Sequence, residues 1–213
     1  MPRRPRGAHA DNEGKRPIDP LVAAPLARAA GEAREPDARP VAFTIGHSTR
    51  PLAELAAMLL AQGVTTLVDV RTVPRSRHNP QYNRDTMPQA LAAYGIGYTH
   101  AEGLGGFRPT SADSPNTGWR NLSFRGYADY MQTAEFAENL FWFMALAEGE
   151  RSALMCAEAV PWRCHRSLIA DALLVHHWRV DEIVGTGRVQ PHRLTPFAHV
   201  DGDVLTYPPE DAG

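Results

Sequence analysis

Residues 41–70 read VAFTIGHSTRPLAELAAMLLAQGVTTLVDV, and the order of patterns in this stretch decides the fold class. Val41-Ala42-Phe43-Thr44-Ile45 is a short apolar, β-branched run closed by Gly46, the signature of a buried strand. Gly46-His47-Ser48-Thr49 follows as a loop. Ser48 or Thr49 is placed to cap the next helix, with Pro51 near its first turn and Glu54 within it. Leu52, Leu55, Met58 and Leu59 recur at helical spacing, and Gly63 ends the helix. Val64 to Val70 is a second strand. Strand, helix and strand form a βαβ unit, with parallel strands and a right-handed crossover.

The same alternation continues towards the C-terminus. Arg71 to Arg84 is polar, turn-rich and the most basic window of the ordered region. A short helix runs from Asp85 or Thr86 to Tyr94, and Ile96 to His100 is a third strand. A long loop leads to about Leu122. Ser123 to Gly149 reads as two helices meeting near Thr133, with Phe136, Leu140, Phe143 and Ala147 on one stripe. Ser152 to Cys156 is a fourth strand, Cys164 to His177 a helix, and Val180 to Val184 a fifth strand closed by Gly185. The remainder reads as loop, with an edge strand around Val204 to Thr206. The expected architecture is α/β: a mainly parallel, doubly wound (Rossmann-like) sheet of about five strands with helices on both faces.

Towards the N-terminus, residues 1–40 are rich in Pro, Ala, Arg and Gly and carry both charge signs. Such a composition cannot bury enough apolar surface to offset ordering entropy. A disordered tail over 1–40 and a single α/β domain over 41–213 are therefore expected. The formal net charge of -2 excludes a global field steering the protein to nucleic acid or membrane. No apolar run approaches the roughly 20 residues that span a bilayer, and no apolar segment follows the basic N-terminus as in a signal peptide. Two cysteines are no secreted disulfide framework. A cytoplasmic location follows as the default.

In parallel α/β sheets ligands bind outside the carboxyl ends of the strands. Polar groups collect there in four segments: Gly46, His47 and Ser48; Asp69 and Arg71; His100 and Glu102; then Cys156 and Glu158, followed by Cys164, His165, Arg166 and Ser167 at a helix start. Thr44-Ile45-Gly46-His47-Ser48, Asp69-Val70-Arg71 with Pro74 and Ser76, Tyr98 through Leu104-Gly105-Gly106, and Met155-Cys156-Ala157-Glu158 through Pro161 to Cys164-His165-Arg166 together resemble the domain of unknown function family numbered 488. The resemblance spans about residues 41–185. It implies a bacterial and archaeal cytoplasmic α/β domain without an established reaction.

The residues themselves suggest roles. Cys156 stands at a strand end before a helix N-terminus, where dipole, amides and Arg side chains favour a thiolate and bind an anion. The layout is similar to that of cysteine phosphatases and rhodanese-type sulfurtransferases. The spacing departs from theirs: Arg163 follows Cys156 after six residues and Arg166 after nine, both later than in those loops. The plainer alternative is a buried structural cysteine. His47, Asp69 and Glu158 are candidates for acid/base chemistry with Cys156 as nucleophile. Gly46, Ser48, Arg71, Cys164, His165, Arg166 and Ser167 are candidates for anion binding.

The expected partner is a small anionic molecule or a nucleotide, turned over by an enzyme of hydrolase or transferase type. An alternative is a non-catalytic module binding nucleic acid through Arg71, Arg75, Arg77 and Arg84. No cofactor is expected. A third alternative is a zinc-stabilised domain ligated by Cys156, Cys164 and His165, with His47 or His100 as the fourth ligand, although Cys-x7-Cys-His lacks the tight paired spacing of known zinc sites.

Overall fold

The computed structural model describes residues 39–209; the expected N-terminal tail lies outside them except for Arg39 and Pro40. The elements are β1 (Val41–Gly46), α1 (Leu52–Leu60), β2 (Thr66–Asp69), α2 (Met87–Ala92), β3 (Gly97–His100), α3 (Leu122–Tyr130), α4 (Ala134–Gly149), β4 (Ser152–Cys156), α5 (Arg166–Val175), β5 (Arg179–Gly185), β6 (Arg188–Pro191), β7 (His199–Asp201) and β8 (Val204–Thr206). The main sheet has six strands in the order β3-β2-β4-β1-β5-β6. The first five strands are parallel, and β6 is antiparallel to β5.

The sixth strand corrects the expected five. β6 is reached through Gly185-Thr186-Gly187, where Gly187 has a φ of +67° that glycine adopts without strain. All four of its residues are exposed, so it carries no apolar run to betray it. Arg188 and Pro191 suit it to a sheet edge, which they guard against further pairing. The edge strand expected at Val204–Thr206 forms, but it pairs with β7 in a separate two-stranded sheet. The helix α1 is entered at Pro51 without a side-chain cap, so neither Ser48 nor Thr49 has the expected capping role.

Alternate strand residues belong to two apolar clusters, as the pleat requires. Phe43, Ile45, Ala153 and Met155 pack with Leu55, Met58 and Leu59 of α1 and Leu91 of α2. Ala42, Leu154 and Cys156 pack with Tyr127 of α3, Phe143 of α4 and Leu168 of α5. Coverage of both faces explains why β4 is buried along its whole length and reads as an unbroken apolar run.

The long segment between β3 and α3 is ordered by side chains rather than by a ladder. Asp129 Oδ1 accepts from Ser114 Oγ at 2.5 Å and Asn116 Nδ2 at 2.8 Å, and its Oδ2 accepts from the Ser111 amide at 2.8 Å. Asn116 Oδ1 accepts from the Tyr207 amide at 2.9 Å. No helix among the described residues is long and apolar enough to cross a membrane.

Candidate functional site

The carboxyl ends of β2, β4 and β1 lie side by side, because β4 inserts between the other two. Gly46 is in register with Cys156, and the ladder runs on into the loops. The amide of His47 donates to Cys156 O at 2.9 Å and that of Ser48 to Ala157 O at 2.9 Å. Gly46 was expected at the ligand, but it serves the close approach of this loop: a Cβ there would meet Glu158 O at 1.8 Å. Ser48 takes a left-handed φ of 51° at the turn.

Asp69 and Arg71 form a buried fork. Arg71 Nε donates to Asp69 Oδ1 at 2.8 Å and Nη2 to Oδ2 at 2.5 Å, while Tyr98 OH donates to Oδ2 at 2.8 Å. Arg71 Nη2 also donates to Tyr82 O at 2.7 Å, and Nη1 to His47 Nε2 at 3.2 Å. Four of the five guanidinium protons are thus engaged. His47 is fixed as well. Its Nδ1 faces Ser48 O at 2.7 Å, and a carbonyl only accepts, so Nδ1 carries the proton and Nε2 is the acceptor. Burial, reinforced by the Arg71 charge, holds its pKa below the ordinary value, and Tyr82 stacks on the ring at 4.0 Å. In this arrangement neither His47 nor Asp69 presents a free proton acceptor; both position Arg71. His100 is likewise occupied, with Nε2 2.8 Å from Arg71 O.

Cys156, Cys164 and His165 come together from the two ends of one loop. Their donor atoms lie within 4.8 Å of one another, and both cysteines are free and buried. His165 Nε2 is 3.0 Å from Val70 O and so bears a proton, which leaves Nδ1 facing Cys164 Sγ at 3.7 Å. The hydrogen bond from the Cys164 thiol holds the Cys156 pKa well below the thiol range, with the neighbouring His165 acting the same way and burial opposing them. Burial and the neighbouring Cys156 sulfur push Cys164 in the other direction. Neither His47 nor His100 joins this group, contrary to the fourth ligand considered from sequence.

Arg166 corrects a sequence expectation most sharply. It has no solvent exposure. Its Nη1 donates to Glu158 O at 2.6 Å and its Nη2 to Ala159 O at 3.2 Å, and Nη2 lies 3.6 Å from Glu182 Oε2. It braces the loop from beneath and is not available to an anion. Ser167 is also buried, with its hydroxyl donating to Cys164 O at 3.0 Å. Glu158 and Arg163 are exposed instead. A single turn of 3-10 helix at Pro161–Arg163 carries the second of them.

A cavity of about 280 Å³ lies over the two cysteines and His165, walled by Thr72, Phe107, Phe124, Glu158 and Arg163. A hollow of about 400 Å³ adjoins it across Arg71, Val73, Ala157 and Glu158, and takes in His47, Ser48 and Arg75. Sequence reasoning missed Gly106, which passes over the His165 ring where a Cβ would sit 2.5 Å from Nδ1. The Gly105-Gly106 pair was the available signal for such a close approach. It also missed Tyr82 and Tyr98 as supports of the Arg71 network, a role with no local pattern.

Fold and site together define an α/β domain with a cysteine–histidine group at the carboxyl edge of its parallel strands. The chain belongs to the family described as domain of unknown function DUF488, whose model matches residues 51–173. No curated protein and no solved structure matched the chain.

Proposed function

We propose that the protein is an enzyme of transferase or hydrolase type that acts on an anionic, phosphate-containing or nucleotide substrate in this cleft. The observation that carries this is the meeting of Cys156, Cys164 and His165 at the floor of a cavity with Arg163 and Glu158 on its wall. Arg163, with the remaining Arg71 proton, receives the anion. Glu158 is the carboxylate open to the cavity and moves the proton. The reacting centre is the cysteine–histidine group. We read the sheet as doubly wound and Rossmann-like, with the cleft beside the reversal of strand order at β4 and β1. A cytoplasmic setting, which keeps thiols reduced, accords with two adjacent free cysteines.

Thermal shift at low salt with inorganic phosphate and nucleoside mono-, di- and triphosphates is the first test, followed by turnover of whichever binds. Stabilisation by one of them, lost in Arg163→Ala, with turnover lost in Glu158→Gln and Cys156→Ser, is expected. A ligand bound and turned over equally by wild type and these variants, or none bound at all, would sink the proposal.

A second reading rests on the exposure of Arg75, Arg77 and Arg84 around the same edge: a nucleic-acid-binding module. Arg71, the fourth residue expected there, is buried and already paired. A steep fall of DNA or RNA affinity with salt, shallower when the three exposed residues become Ala, is its signature.

A further inference from the structure

We propose that Cys156, Cys164 and His165 bind a zinc ion, with the fourth coordination position open to the cavity. The metal site deepens the enzyme proposed above by naming a cofactor for the same cleft, and depends on it only for what occupies the fourth position.

The donor geometry is close to what zinc requires. Zinc takes sulfur at about 2.3 Å and imidazole nitrogen at about 2.0–2.1 Å in a tetrahedron, which spaces sulfur and nitrogen donors about 3.6 Å apart and two sulfurs about 3.8 Å apart. Cys164 Sγ and His165 Nδ1 are already 3.7 Å apart, and all three donors fall within 4.8 Å. Closing on an ion therefore needs movements of no more than about an ångström, on the scale of these Zn–donor distances.

The supports of the donors point the same way. His165 donates Nε2–H to the Val70 carbonyl at 3.0 Å, the backbone anchor that fixes tautomer and ring orientation in metal-bound histidines and leaves Nδ1 as the donor. Tyr127 flanks the ring, with centroids 5.0 Å apart, and Gly106 packs over it. Cys156 is fixed at the end of a buried strand and Cys164 at the entry to α5. Two thiolates and a neutral imidazole form a soft donor set that suits zinc and balances its charge. Among the described residues no fourth His, Cys, Asp or Glu joins the group. Three protein ligands and an open position mark a catalytic rather than a structural zinc. The open position faces a cavity with Glu158 on its wall, where a bound water or an anionic substrate oxygen is received.

The test uses the full chain, purified reduced and stripped of metal, then titrated with Zn²⁺ and Co²⁺ against a chromophoric chelator. One ion per chain is expected. Cobalt should give thiolate-to-metal charge-transfer absorption and the intense visible bands of a four-coordinate ion, and uptake should release protons from the thiols. Cys156→Ser and Cys164→Ser should each remove about half of the charge-transfer intensity, and His165→Ala should weaken binding about tenfold or more. Gly106→Ala removes no donor but turns the ring, and should weaken binding as well. Circular dichroism checks that each variant folds. No uptake, or uptake unchanged in all four variants, overturns the metal site. If uptake fails while Arg163→Ala and Cys156→Ser still abolish substrate binding and turnover, the enzyme stands with a thiolate centre. If zinc binds while no anion does, the metal stands and the enzyme falls.

Discussion

Arg166 donates to the main-chain carbonyl of Glu158 at 2.6 Å from a position with no solvent exposure. The helix start thus holds the preceding loop by its backbone and leaves the Glu158 side chain outside. The guanidinium also pairs with Glu182, itself buried, at 3.6 Å from Nη2 to Oε2.

Removing one partner of a buried ion pair strands the other charge. Arg166→Ala should therefore destabilise the fold by about 3–5 kcal/mol, whereas Arg163→Ala, at the exposed end of the same loop, should leave stability near wild type. Chemical denaturation of the two variants measures the contrast. Comparable stabilities would refute the bracing role.

Gly46 and Glu158 cannot both keep their places once a methyl group is added between them. Gly46→Ala should push the loop away from β1, at a cost of about 1–3 kcal/mol as for overpacked interiors. Hydrogen exchange at Ser48, whose amide is bonded to Ala157 O, should speed up in parallel. Unaltered exchange would show that the loop yields without breaking this contact.

His47 is buried neutral, with its pKa lowered in the folded state. Between that value and the unfolded value of about 6.5 the unfolded chain binds more protons, so stability is full above about pH 6.5 and declines as pH falls. His47→Gln, whose amide can still accept from Arg71, should flatten this decline. Urea unfolding across pH 5–8 gives the comparison, and superimposable profiles would remove His47 as a source of acid sensitivity.

In metal-free protein Cys156 should be alkylated before Cys164 at neutral pH, because the hydrogen bond from Cys164 lowers the Cys156 pKa while burial and the same bond raise that of Cys164. Peptide mapping after brief iodoacetamide treatment reads the order. Zinc should protect both. Equal labelling rates would contradict the unequal sharing of the proton.

Much of the fold was legible because each element depends on local pattern. The apolar run at Val41–Ile45, the helical spacing from Leu52 to Leu59 and the split near Thr133 all appear where expected. β6 was not legible, since an exposed edge strand of four polar or isolated apolar residues has no buried face to pattern. The concentration of Cys156, Cys164 and His165 around one loop was readable from the place of that loop between a strand and a helix. The roles of Arg71, Asp69, His47 and Arg166 were not, because a charged residue at a strand end reads the same whether it faces ligand or partner.

The sequence by itself determined the α/β class and the parallel strands, through the periods at which apolar residues recur, and the strand-to-helix loop that both cysteines flank. The tertiary structure alone decided the strand order, which sets β4 between β1 and β2 and brings His47, Arg71 and Cys156 to one edge. It also decided which cations are sequestered and which are exposed, because burial and pairing are set by neighbours distant in the chain. Glu182 reaches Arg166 from the next strand, and Val70 reaches His165 across the sheet edge. Such contacts leave no periodic trace along the chain.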